Sequence, residues 1–242
     1  MTTRTAGRFI GALLLSAFVL YGGGEFLIAS TSDNATPLPK NAASLGLLSA
    51  GATLVLLNSL AVATIGAVAF RVLRRRHRRT AALYLATRSV EAVLLALAPL
   101  GALMLALLAR GSVEAPNASH PGLQGLSRAA VENGHTAYWL AMATLGVGSV
   151  FFCWALMRSD LLPRILAAWG MVGYAIFAVG SVLELGGYGV GLILAAPGGL
   201  FEVAAGCYLL ARGFQAVGPG SLADSHPTLG SATAELTTSR AT

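Results

Sequence analysis

Six long apolar runs, separated by short polar interruptions, account for most of this chain. They cover about 9–30, 45–70, 81–109, 135–157, 164–185 and 189–211. Each is about 20 residues or longer, enough for an α-helix to cross roughly 30 Å of hydrocarbon. The first run, FIGALLLSAFVLYGGGEFLIAS behind Arg4 and Arg8, begins with the positive charge of a signal peptide. Its apolar stretch exceeds the roughly 7–15 residues of a signal core and carries no convincing small-x-small cleavage site, so it reads as a spanning helix. The pattern therefore predicts an all-α fold, a polytopic transmembrane bundle of six helices. Pro99 and Pro197 fall inside the third and sixth runs, where each removes a backbone donor and kinks its helix.

The connections differ in kind. Thr31 to Ser44 is polar and turn-forming, with Asp33, Asn34, Pro37 and Pro39. The stretch 111–133 is long enough to carry a short surface helix. RSDLLPR at 158–164 makes a tight turn, and Gly186 and Gly187 begin a very short one. Residues 1–212 form the membrane domain. Residues 213–242 are rich in Gly, Pro, Ser and Thr with few large apolar side chains, the composition of a disordered cytoplasmic tail.

Composition agrees with burial in lipid: 55% of residues are hydrophobic and 11% charged, against about a quarter charged in soluble domains. The formal net charge of +6 would suggest nucleic acid if it were spread over a surface. Instead Arg71, Arg74, Arg75, Arg76, Arg78 and Arg79 lie together between two spans, which points to anionic lipid head groups as partner and not to nucleic acid. Twelve of the sixteen Lys and Arg fall on the side of the termini, while Lys40, Arg110 and Arg128 fall on the other and Arg88 lies within a span. That asymmetry places both termini in the cytoplasm of a multi-pass cell-membrane protein. Arginine outnumbers lysine fifteen to one, a sign of a GC-rich bacterial genome. Cys153 and Cys207 sit in apolar runs without metal or disulfide spacing. Two N-x-S/T sequons, at Asn34 and Asn117, face outward. No cofactor is predicted.

Polar residues inside the spans mark the faces turned from lipid. Tyr84, Thr87, Arg88 and Glu91 share one face of the third run, and Gly198, Glu202 and Gly206 recur every fourth residue in the sixth, where a neighbouring helix can approach closely. At about 1.5 Å per residue Glu91 and Glu202 both lie roughly 15 Å deep. The expectation is two layers. An inner cluster joins Arg88, Glu91, Glu202 and Tyr84. An outer cluster near the surface joins Glu25, His135, Glu184 and Tyr138, with His135 opening the fourth helix. Asn58 reads as interhelical glue. The inner cluster is open to two readings: an ion pair that fixes helix register, or a group that binds or relays protons.

These residues also carry a resemblance. GGGEFLIAS around Glu25, TRSVEA with Arg88 and Glu91, NGHTAY with His135, RSDLLPRILAAWGMVGY around Arg158, Pro163, Arg164 and Gly173, and PGGLFEVAAGCYLLARGF around Glu202 and Gly213 together resemble the bacterial membrane family known as domain of unknown function 4386, over roughly residues 8–214. The resemblance implies an all-helical integral membrane protein and no established activity. The dense arginine run and the long polar tail depart from the family pattern.

Three functions fit this reading. The first is a small-solute or proton-coupled transporter with Glu91 and Glu202 as midplane acids and Arg88 as counter-ion. The second is a non-catalytic sensor or partner subunit. The third is a lipid-modifying enzyme in which Glu25, Glu184 and His135 supply acid, base or zinc ligands, although no HExxH or GxSxG accompanies them.

Overall fold

The computed structural model describes residues 1–31, 42–114 and 121–215. Asn34, Lys40, Asn117 and the tail beyond Gln215 lie outside the described residues. Among those residues there are six helices and no strand: α1 (Thr3–Ser30), α2 (Ala42–Leu73), α3 (Arg78–Glu114), α4 (Pro121–Arg158), α5 (Arg164–Leu185) and α6 (Gly191–Arg212). All six are long and apolar enough to cross a membrane, so the chain is a multi-pass integral membrane protein. Large apolar side chains stay exposed along the spans, for example Leu60, Val93 and Val172. In water such a surface would drive aggregation, whereas in lipid it is solvated.

Several helices outrun the apolar pattern, because backbone hydrogen bonding continues past the point where side chains need lipid. α1 starts at Thr3 rather than Phe9, with Thr2 accepting from the Thr5 amide as its cap. The short surface helix expected in 111–133 is instead the first part of α4, so His135 lies well inside that helix rather than opening it. α6 begins at Gly191, after the left-handed Gly187 and Gly189 have turned the chain. The basic run sits at the α2–α3 junction. Arg71 closes α2, Arg74 to His77 form the turn, and Arg78 opens α3. Packing also continues past Arg212, since Phe214 is buried and the Gln215 amide donates to the Leu161 carbonyl.

Each helix packs on its neighbours in the chain, and α1 packs on α6, closing the bundle into a ring. Glycine permits the closest approaches. A Cβ on Gly24 would meet the Gly51 carbonyl oxygen at 2.9 Å, so α1 and α2 touch backbone to backbone. On α5, Gly173 lies against the Pro197 carbonyl of α6. At the ring's closure, a Cβ on Gly11 would lie 2.6 Å from the Leu210 amide and 2.7 Å from the Gly206 oxygen. Arg4 and Arg8 bind the last α6 carbonyls, at Arg212 and Ala211, where cations favour a helix C-terminus. Further along the same two helices the contact opens, because a Cβ on Gly22 or Gly199 would meet nothing within 4 Å.

Candidate functional site

The opening leads to a cavity of about 500 Å³ at the centre of the ring, lined by residues of all six helices. This lies within the range of about 300–1,000 Å³ usual for small-molecule sites. Most of its wall is apolar, including Leu14, Val62, Leu95, Met142 and Phe177, and its polar residues are Asn58, Arg88, Glu91 and Glu202 with Tyr21 and Tyr138.

Arg88 organises the charged part of that lining. It is 3% exposed and Glu91 is 2% exposed. Its Nη1 donates to both carboxylate oxygens of Glu91, at 3.1 and 3.0 Å, one turn along α3. Its Nε donates to the Tyr84 hydroxyl at 2.8 Å, and the Tyr84 ring is held by stacking on Phe152 of α4, with centroids 3.9 Å apart. Gly66 of α2 makes room for the arginine stem, since a Cβ there would sit 2.7 Å from the Arg88 Cβ. Gly148 of α4 does the same for Thr87. Arg88 is therefore placed by Tyr84 and Glu91 on its own helix and by Gly66 of α2, while α4 steadies the neighbouring Tyr84 and Thr87.

Glu202 joins from α6. Its Oε1 lies 4.0 Å from Arg88 Nη2, an ion pair too long for a hydrogen bond, and accepts from the Tyr174 hydroxyl at 2.6 Å. The structure thus brings Arg88, Glu91, Glu202 and Tyr84 together and adds Tyr174. Tyr174 was not among the residues picked from the sequence. Its signal was its spacing, seven residues before Ser181 and fourteen before Tyr188, which puts the three on one face of the fifth run. Two buried polar atoms on residues lining the cavity have no hydrogen-bond partner: Arg88 Nη2 and Asn58 Oδ1. Asn58 is 3% exposed, and among the described residues it bonds to no other helix, so the expected glue is not seen.

The outer residues separate. Glu25, His135 and Tyr138 line a second pocket of about 410 Å³ with Tyr21 and Trp139. His135 Nε2 accepts from the Trp139 indole at 3.0 Å. Glu184 does not line that pocket, because its carboxylate accepts from the Gly191 amide at 2.6 Å and so secures the first turn of α6. The expected grouping of Glu184 with the other three is corrected accordingly. Among the described residues no three His, Cys, Asp or Glu gather as metal ligands, so Glu25, Glu184 and His135 do not form the zinc set considered above. Tyr21 and Tyr138, stacked at 5.2 Å and 17°, line both pockets and form the partition between them. The arginines from Arg71 to Arg79 lie far along α2 and α3 from this cavity, at the turn joining those helices.

No curated protein and no solved structure matches the chain. The family model described as Domain of unknown function (DUF4386) matches residues 9–213, which include the central cavity and every helix that lines it. The chain belongs to that family.

Proposed function

We propose that this protein binds a small molecule within the membrane, in the cavity between Arg88, Asn58 and Glu202. The observation that carries the reading is one cavity of about 500 Å³ inside the bundle, apolar over most of its wall and with Asn58, Arg88 and Glu202 on that wall. Catalysis is not needed to account for the arrangement. The test is a thermal-unfolding screen of the purified protein against neutral, anionic and cationic compounds, run beside Gly199→Trp. A tryptophan there enters open space and fills the cavity mouth. A compound at 100 times its Kd stabilises by about 2.7 kcal/mol, and that gain is expected to vanish in the variant. If no compound distinguishes the two proteins, the reading fails.

Transport is the second reading, favoured by the Tyr21–Tyr138 partition. Separating those rings would join the central cavity to the outer pocket, and α6, a continuous helix with Pro197 inside it, carries Glu202 on the wall of that cavity. In this reading Glu91 and Glu202 are the midplane acids.

The charge census supports cytoplasmic termini in a cell membrane, with Arg71, Arg74, Arg75, Arg76, Arg78 and Arg79 against anionic head groups. A cysteine placed at Arg75, in a chain lacking Cys153 and Cys207, is expected to react with a membrane-impermeant maleimide only after the cells are opened. Labelling of intact cells would reverse the orientation.

A further inference from the structure

The outer pocket has what the central cavity lacks, a carboxylate with no cation beside it. Glu25 stands on α1 about 8 Å from the C-terminal end of that helix, one turn beyond Tyr21, and is half-buried. Glu91, Glu184 and Glu202 each accept a hydrogen bond. Glu25 has neither a hydrogen bond nor an ion pair among the described residues. No described lysine or arginine lines its pocket, and the basic side chain there is His135. An indole nitrogen can only donate, so the bond from Trp139 finds His135 Nε2 without a proton and the imidazole uncharged. The rest of the wall is aromatic or apolar, with Tyr138 packed on both Tyr21 and Trp139. Val131 and His135 on that wall are exposed, so the pocket is open near the end of the bundle opposite the termini.

We propose that this pocket binds a small organic cation, a quaternary ammonium or a protonated amine, with Glu25 as its counter-ion and the aromatic side chains against its apolar body. The site is separate from the central cavity and does not require that cavity to be occupied. A carboxylate left alone among apolar side chains is costly. A cation that carries its own hydrocarbon balances the charge and buries that hydrocarbon on an aromatic wall, the surroundings in which quaternary ammonium groups are recognised. Calcium needs about six to eight oxygen ligands, and one carboxylate with two phenol hydroxyls falls short of that. An anion would meet Glu25 with no cation between them, and a neutral ligand would leave its charge unbalanced.

The full chain in phosphatidylglycerol nanodiscs tests this by saturable binding of radiolabelled choline, with empty discs as the baseline. Tetraethylammonium is expected to compete, and dimethylbutanol, the uncharged carbon isostere of choline, is not. Glu25→Gln should weaken binding at least about tenfold, the loss of a charged partner, while its thermal unfolding stays close to that of the parent. Tyr21→Leu should weaken binding about threefold, one exposed cation–π contact. Gly199→Trp, which fills the mouth of the central cavity, should leave it unchanged. Absence of saturable binding, or binding indifferent to Glu25→Gln, overturns the proposal. Equal competition by dimethylbutanol overturns the cation class. Binding lost in Gly199→Trp and kept in Glu25→Gln puts the cation in the central cavity and overturns the outer site, while the reading of that cavity stands. Phosphatidylcholine discs separate two sources of the same chemistry. Displacement of free choline there identifies a lipid head group as the occupant, and undiminished binding identifies a dissolved cation, and either result upholds the class.

Discussion

Arg88→Leu is expected to destabilise the bundle by about 3–5 kcal/mol, because it leaves the buried Glu91 without the cation that accounts for its burial. Thermal unfolding in detergent, or denaturant titration, reads the loss. The companion result is more telling. Arg88→Leu combined with Glu91→Leu removes both charges together, and its cost is expected to fall well short of the two single costs added. A double-mutant cycle over the pair should then show coupling on the order of 1–3 kcal/mol. Glu202→Gln belongs in the same series. Its carboxylate is 4.0 Å from the guanidinium and keeps the Tyr174 hydroxyl as a donor, so amidation should cost much less. Additive single costs at Arg88 and Glu91 would show that the pair does not act as a unit.

Gly11→Leu is expected to cost at least about 3 kcal/mol, beyond the usual penalty for overpacking a core. Atoms added there would meet the backbone of Leu210 and Gly206, which cannot rotate aside as a side chain can. Gly199→Leu, on the helix that Gly11 touches, is expected to change stability by no more than about 0.5 kcal/mol, since nothing lies within 4 Å of its Cβ position. Thermal unfolding of the two variants side by side gives the contrast. Equal losses would mean that α1 and α6 do not diverge.

The number of spans and the buried charges were legible because the bilayer enforces them. A guanidinium and two carboxylates within apolar runs have nowhere to face but inward, which singled out Arg88, Glu91 and Glu202. Helix ends were less legible. The polar start of α4 has no hydropathy signal, yet its backbone hydrogen bonds continue the helix outward past His135. Tyr174 was missed because a lone tyrosine in a span reads as an interfacial or core aromatic, and only its heptad relation to Ser181 marks the inward face. Glu184 was grouped with Glu25 by depth, but its role depends on the turn that brings Gly191 back to it. The glycines mark the limit. Gly11 and Gly22 are the same letter on the same helix, and only the path of α6 makes one a crossing and the other part of a cleft.

The ring is closed by its first and last helices, and this orders its assembly. During synthesis α1 is made before α6 and must wait for it before the seam at Gly11 and Gly206 can form. Until then the nascent bundle is an open arc, with Arg88 and Glu91 paired on its inner edge and no sixth wall beside them. The seam forms only once α6 has been made, so whatever occupies the cleft can be enclosed as the ring closes.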